Sequence, residues 1–458
     1  MNEFSVSGQH VVVVGAARSG VAAAELLVSR GARVTLTDTR ATFDEAPRLR
    51  AAGVALALGG HADGVFDTAD LVVLSPGVPA DLPALEALRQ RGVPVIGELE
   101  LAWRWLKGKV IAITGTKGKS TTTTLIGRIL ETAGLPTLVG GNIGNALSAH
   151  VALSTPDTLH VVEVSSFQLE TSDTFHPWIA VLMNFSADHL DRHGTLEAYG
   201  AAKSRLFMHQ TPDDWAIVND DDDAALALAR SGRAARFDFS RLGQLDEGIV
   251  VHDRQIVRRQ HGESEVLMPL SAIRLLGPHL VDDVLAAAAV ATLVGVEPSV
   301  MRDAIESFHG LEHALEPAGD VGGVRFVNDS KATNIEAARR AIESFESGVV
   351  AILGGRFKGG DFADLKEPAR SRVTAVIAIG EAREMVREVF GSDVPVYDAA
   401  SMGEAVRAAF AAAAPGGVVL LAPGCASFDM FKDYAERGRI FKDEVRRLGE
   451  EWSTRREQ

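Results

Sequence analysis

The feature that most restricts this chain is the run Gly115-Thr116-Lys117-Gly118-Lys119-Ser120-Thr121, set directly behind the short strand-like stretch Lys109 to Ile113. Glycines that let successive backbone N–H groups turn toward one point, followed by a helix start, make a cradle for phosphate. The amides donate, and the helix N-terminus adds about half a positive charge. In such a loop Lys119 would reach the terminal phosphates of a nucleotide, the Ser120 hydroxyl would ligate Mg²⁺, and Gly115, Thr116, Lys117, Gly118 and Thr121 complete the binding turn. Ile113 stands where the commoner motif has its first glycine, so the loop is a shortened variant. A strand–loop–helix unit of this kind belongs in a parallel sheet, whose strands deliver their carboxyl ends to one edge.

The flanking sequence agrees with an α/β chain. Val11 to Val14 reads as a buried strand, followed by Gly15 to Gly20 and a helix over Val21 to Ser29. Further strands, Arg33 to Thr37 and Leu71 to Leu74, end at Asp38-Thr39-Arg40 and Ser75-Pro76-Gly77. A boundary falls near Gly97. The second block runs from Lys109 to about Gly310, with a β-hairpin around His252 to Gln255 and an Ala-rich helix near Leu280 to Val294. In the third block the strands are expected to end at Asp329, Gly354, Gly380 and Gly424. At 458 residues the chain has room for about three domains, placed at 1–97, 98–310 and 311–458.

Composition excludes several classes. A formal net charge of −15 opposes binding to nucleic acid or an anionic membrane. One cysteine, Cys425, leaves no internal disulfide and fits a reducing compartment. Met1 to His10 carries no basic start before an apolar core, and the apolar stretch Val284 to Val296 is too short to span a bilayer. The expectation is a cytoplasmic monomer acting on small molecules, with no nucleic-acid or membrane partner.

A nucleotide loop needs a metal-holding acid on a neighbouring strand end, and Leu159 to Glu163 supplies Glu163. Asn184-Phe185-Ser186-Ala187-Asp188-His189-Leu190-Asp191 also follows an apolar strand and groups carboxylates with the His189 imidazole, a set suited to metal or substrate. Near the N-terminus, Ala17 replaces the middle glycine of a dinucleotide fingerprint, which disfavours nicotinamide chemistry. Arg18 at a helix start can still hold a diphosphate. Asn328 to Asn334, Lys358 behind Gly354-Gly355, and Ala426 to Asp429 all follow strands and converge on one sheet edge as a polar crevice. Cys425 lies beside them with no base evident in sequence, so it is not read as a nucleophile.

Taken together, Gly115 to Thr121, Glu163 to Glu170, Asp188-His189 and Asn328 to Asn334 resemble the Mur ligases over essentially the whole chain. Asp329-Ser330-Lys331-Ala332-Thr333-Asn334 and Cys425 to Asp429 are similar to the members that join D-glutamate to UDP-N-acetylmuramoyl-L-alanine through an acyl phosphate, in cytoplasmic peptidoglycan precursor synthesis. The resemblance implies three α/β domains. The first is Rossmann-like and binds UDP, the central one is a P-loop mononucleotide-binding domain, and the C-terminal one is Rossmann-like and receives the amino acid. It implies that Arg18, Ser19, Asp38, Thr39, Arg40, Ser75, Gly77, Asn142, Ser165 and His189 meet the UDP-sugar. Lys203 matches a position that the family converts to a carbamate, which with Ser120, Glu163 and His189 implies two Mg²⁺ sites. Asp329 would bind the ATP ribose, Lys331 would approach the transferring phosphate, and Thr333, Lys358, Ser427, Phe428 and Tyr434 would receive D-glutamate. Lys119, Glu163, His189, Lys203 and Lys331 are the implied catalytic set. Departures from the family pattern are Leu280 and Asp283, where relatives carry asparagines, and Ala314, where they carry an arginine; Arg356 is a candidate replacement.

Overall fold

The computed structural model describes residues 4–61, 64–243, 245–274 and 279–457. Met1 to Glu3, part of the leader reading, and the side chains of Asp191 and His279 lie outside the described residues. By internal contacts the chain forms two compact units, one of residues up to Ile273 and from His279 to Ser307, the other from Phe308 onward together with Arg274.

The first sheet is all parallel, with β1 (His10–Val14), β2 (Arg33–Asp38), β3 (Ala55–Leu58), β4 (Leu71–Leu74) and β5 (Val95–Gly97) in the order β3-β2-β1-β4-β5. Val11 to Val14 are buried on both faces, which is why that stretch is continuously apolar and does not alternate. Strand order reverses between β1 and β4, leaving a crevice beyond their carboxyl ends.

No flexible linker follows. The helix Glu98–Trp103 is buried from Glu98 to Ala102 and packs on the 3-10 helix Leu147–Leu153. One apolar cluster runs from Val11 through Leu99 and Leu101 to Val110 and Leu147, so the first two blocks share a core and form a single unit. The second sheet, also parallel, contains β6 (Lys109–Thr114), β7 (Thr137–Gly141), β8 (Leu159–Glu163), β9 (Ile179–Leu182), β10 (Trp215–Val218) and β11 (Ala235–Arg236), ordered β11-β10-β9-β6-β8-β7. A smaller sheet of β12 (Asp238–Ser240), β13 (Gly248–His252), β14 (Gln255–Gln260) and β15 (Glu263–Pro269) contains the expected hairpin, turning through Asp253 and Arg254 at φ 48° and 59°. The Ala-rich helix His279–Val294 packs beside the helix Lys119–Thr132 that follows the phosphate loop.

The second unit has one mixed sheet: β16 (Glu316–Val321), β17 (Val324–Asn328), β18 (Val349–Gly354), β19 (Val373–Ile379), β20 (Val396–Ala399) and β21 (Val418–Leu421), ordered β16-β17-β21-β18-β19-β20. Only β16 is antiparallel to its neighbour. Three strands stop short of the expected ends, at Asn328, Ile379 and Leu421 in place of Asp329, Gly380 and Gly424. Pro423 explains the largest shift, since it has no N–H to continue the ladder. Asp329 still donates its N–H to Leu421 O, so that boundary is soft. Strands β16 and β20 carried no apolar run to reveal them. Both are edge strands, one interrupted by Pro317 and Gly319 and the other bearing exposed Tyr397 and Asp398. Among the described residues no helix is long and apolar enough to cross a membrane.

Candidate functional site

The loop after β6 is held by side chains from neighbouring strand ends. Asn184 Oδ1 accepts the N–H groups of Thr116 (3.1 Å) and Lys117 (2.8 Å), and its Nδ2 donates to Lys117 O (3.1 Å). Thr116 Oγ1 donates to Ser186 O and accepts from Ser186 N. Asn184 opens the run whose carboxylates and imidazole suit metal or substrate, and its part in shaping the loop emerges only from the structure. Glycine is required at two points. Gly115 (φ 152°) faces Met183, and a Cβ on Gly118 (φ 82°) would collide with Asp283 Oδ1.

Two amines converge on one carbonyl. Lys119 Nζ donates to Gly115 O and Thr116 O, each at 3.0 Å, and Lys203 Nζ donates to Gly115 O at 2.8 Å. Lys203 is 1% exposed on the helix Leu196–Ser204, with its amine 4.7 Å from the Tyr199 ring centre. Burial first, and the nearby Lys119 charge second, push its pKa down from 10.5 to about 6. At neutral pH this lysine is mostly a neutral amine.

Glu163 closes β8 and is buried. Its Oε1 accepts from Asn142 Nδ2 at 2.7 Å, while Oε2 is buried with no hydrogen-bond partner. An unpartnered buried carboxylate oxygen beside a phosphate loop fits a bound cation. Among the described residues no three His, Cys, Asp or Glu side chains converge on one point. That suits Mg²⁺, which keeps phosphate and water oxygens among its ligands and needs few from protein. Asp188 pairs with Lys117 (3.4 Å); burial opposes its ionisation, but the Lys117 and His189 charges outweigh this and lower its pKa. His189 is exposed in a left-handed conformation (φ 54°), with its ring edge-on to Phe167 at 5.0 Å. Ser165 caps the helix Ser166–Glu170 in a reciprocal box with Gln168.

In the first sheet's crevice, Asp38 and Ser75 organise the turn after β1. Ser75 Oγ donates to Gly15 O at 2.9 Å, and Asp38 accepts from Ala16 N and from the Arg40 guanidinium. Burial alone would raise the Asp38 pKa, but these hydrogen bonds bring it down to about 2. Arg18 reaches across to the second block and donates to Gly144 O and Asn142 O. Ser19 sits at the same helix start, and Gly77, Thr39 and Arg40 are exposed at the rim.

The second unit brings its predicted residues to one edge of its sheet. Asp329, after β17, is almost fully buried and accepts from Leu315 N, and burial lifts its pKa to about 7. Lys331 and Thr333 follow on the same loop, half-buried. Lys358 is exposed after β18; beyond β21, Ser427 is buried while Phe428 and Tyr434 are exposed. Arg356 is engaged in a two-pronged, solvent-exposed pair with Glu381 (2.8 and 3.2 Å), so its guanidinium already has a carboxylate partner. Burial pushes the Cys425 thiol up to about 12, away from the thiolate form that a nucleophile needs.

Asp283 departs most from expectation for a carboxylate. It lies buried beneath Gly118, accepting from Thr122 Oγ1 at 3.1 Å, with Oδ2 unpartnered. Burial raises its pKa well above 3.8. A carboxyl whose folded pKa is raised contributes its full stability at low pH and loses it as pH rises through the folded value. Asp283→Asn keeps the shape and removes the ionisation. We expect its thermal midpoint to match the parent near about pH 4 and to exceed it by several degrees at about pH 8. Melting curves across that range check this; a pH-independent difference would contradict it.

Three family models match in chain order: "Mur ligase MurD-like, N-terminal domain" over residues 9–97, "Mur ligase middle domain" over 113–291 and "Mur ligase, glutamate ligase domain" over 315–425. The chain is 48% identical over 447 residues to the UDP-N-acetylmuramoylalanine--D-glutamate ligase of Acidobacterium capsulatum, covering 96% of this chain and 97% of that protein. It is 44% identical to the protein of the same name from Koribacter versatilis, covering 98% and 99%. Among solved structures, UDP-N-acetylmuramate-alanine ligase MurC from Thermotoga maritima superposes with a TM-score of 0.60 at 18% identity, covering 96% and 99% of the two chains. MurF ligase from Thermotoga maritima, in complex with ADP, gives 0.58 at 16% identity, covering 97% and 96%. The structures establish a shared fold, and the sequence relatives establish descent: the chain belongs to the Mur ligase family, in the group of the UDP-N-acetylmuramoylalanine--D-glutamate ligases.

Proposed function

We propose that this chain uses ATP to join D-glutamate to UDP-N-acetylmuramoyl-L-alanine, a step in peptidoglycan precursor synthesis. The observation that carries this reading is the 48% identity, over 96% of the chain, to a ligase of that name. A phosphate loop with two amines beside it and a buried acid with a free oxygen support the ATP half. In this reading residues 1–97 bind the UDP-sugar, 98–310 bind ATP and 311–458 receive the amino acid.

The chemical problem is that a carboxylate offers no leaving group to an amine. Transfer of the ATP γ-phosphoryl group to the muramoyl-alanine carboxylate creates one, as an acyl phosphate. The D-glutamate amine then attacks the acyl carbon and phosphate departs from the tetrahedral intermediate. The protein contributes positioning and charge neutralisation. The amides of Gly115 to Thr121 and the Lys119 ammonium hold the phosphates, and Lys331 adds a second positive charge. Ser120 and Glu163 would hold Mg²⁺, which when bound neutralises phosphate charge and fixes phosphate geometry. Lys203, as a carbamate, and His189 would provide for a second ion. Arg18, Ser19, Asp38, Thr39, Arg40, Ser75, Gly77, Asn142 and Ser165 serve the UDP-sugar; Thr333, Lys358, Ser427, Phe428 and Tyr434 serve D-glutamate, and Asp329 serves the ribose.

Phosphate release is expected to require UDP-N-acetylmuramoyl-L-alanine and D-glutamate together, when acceptors are screened against D- and L-amino acids. Turnover with a folate acceptor or L-lysine, and none with D-glutamate, would overturn the assignment.

A further inference from the structure

Arg437 is among the largest fully buried side chains, with 0% exposure, although it lies on the helix Tyr434–Glu457, whose sequence is dominated by charged residues. Its Nε donates to Ser330 Oγ (2.9 Å), its Nη2 to Ser330 O (2.8 Å) and its Nη1 to Cys425 O (3.1 Å). The Ser330 hydroxyl in turn donates to Tyr434 O at 2.8 Å, tying the loop back to the start of the same helix. A Cβ built on Gly355 would approach Nη1 to 3.4 Å, so the segment after β18 also lies against the guanidinium. That segment is joined to the one after β21 by paired backbone bonds between Arg356 and Ala426 (2.9 and 3.0 Å). One cation thus touches the chain beyond β17, β21 and β18. These are the segments that carry Lys331 and Thr333, Ser427 and Phe428, and Lys358.

All of its hydrogen-bond acceptors are neutral, and among the described residues no carboxylate forms an ion pair with Arg437; the Asp429 carboxylate lies near enough to favour its charge without pairing with it. Burial lowers its pKa to about 10, which leaves it charged at neutral pH. A buried cation with no directly paired counter-ion is unfavourable in the empty protein, and an anion arriving nearby relieves that cost. Methionine or leucine would fill the same space without that cost. The forked, charged side chain is therefore explained by what it organises.

We propose that Arg437 is the positioning residue of the amino-acid crevice: it locks three strand-end segments in one register, and its buried charge, paired directly with no carboxylate, favours the anionic amino acid bound among them. This rests on the reading of that crevice as the D-glutamate site. The test is steady-state kinetics of Arg437→Met, Arg437→Lys and Ser330→Ala, varying D-glutamate and UDP-N-acetylmuramoyl-L-alanine separately, with a melting curve for each variant. Arg437→Met is expected to raise KM for D-glutamate about 30-fold or more while KM for the UDP-sugar stays within about twofold. Arg437→Lys keeps the charge without the fork and is expected to recover part of that loss. A folded Arg437→Met with unchanged KM for D-glutamate, or with only a fall in kcat, would overturn the proposal. Should Arg437→Met not fold, Ser330→Ala decides: KM for D-glutamate rising about fivefold supports the clamp, and no rise refutes it. Parent protein that fails to use D-glutamate would overturn the functional assignment; normal parent turnover with unshifted variants overturns only the role of Arg437.

Discussion

Lys119→Ala is expected to lower turnover by about 10²–10³-fold or more and to leave the fold in place. The size follows from where the charge sits. Lys119 opens the helix Lys119–Thr132, and its ammonium lies 3.0 Å from the carbonyls of Gly115 and Thr116, at the mouth of the phosphate loop. Negative charge builds on the oxygens around the transferring phosphorus, and a fixed cation at that point stabilises the transition state more than the ground state. The structural cost is small. Two hydrogen bonds at a partly exposed site contribute about 1 kcal/mol each, and alanine is a good helix former. Phosphate release at saturating substrate, with a melting curve alongside, checks both halves. Near-normal activity in a folded variant would remove Lys119 from the phosphate site.

Lys203→Ala is expected to be inactive, with partial recovery in formate or acetate. A protonated lysine cannot ligate a divalent cation. Burial and the Lys119 charge hold the Lys203 pKa to about 6, so its neutral Nζ can attack CO₂. The N–C bond forms, one proton leaves to solvent, and the product is an anion with two oxygens. A small carboxylate diffusing into the space left by alanine replaces those oxygens without the tether. The parent should show a carbamate carbon signal after exposure to ¹³C-labelled CO₂, and the variant should not. Stability gives an independent readout. A lysine whose folded pKa lies below its unfolded 10.5 makes stability rise with pH across the window from about 6 to 10.5, because the unfolded state binds more protons there. Lys203→Ala should flatten that slope. Full activity without added acid would exclude the carbamate.

Much of the second block was legible because its signals are local. A strand, a glycine turn and a helix start are adjacent in sequence, so Gly115 to Thr121 announces both the loop and its phosphate-binding geometry before any packing is known. The continuous Val11 to Val14 run likewise declares a strand buried on both faces. Glu163 at the end of Leu159–Glu163 was readable by the same logic, since strand ends of a parallel sheet meet at one edge.

What stayed hidden depends on residues far apart in the chain. Asn184 opened a run read for its carboxylates and imidazole, and it is found shaping the phosphate loop, 67 positions from Lys117. Arg356 was a candidate for an ATP contact, and its partner Glu381 lies 25 positions away on another strand end. Nothing in the sequence around Arg437 tells that Ser330, 107 residues earlier, will enclose it. The edge strands β16 and β20 escaped because edge positions need no apolar run. The sequence by itself determined the parallel α/β architecture, the phosphate loop and, through its motifs, the family, since these are written in short-range periodicity and in glycine placement. Only the tertiary structure decided which buried groups lose their charge, which keep it without an ion pair, and which backbone carbonyls they hold. Desolvation and hydrogen-bond satisfaction are properties of a packed neighbourhood, and most of that neighbourhood comes from elsewhere in the chain.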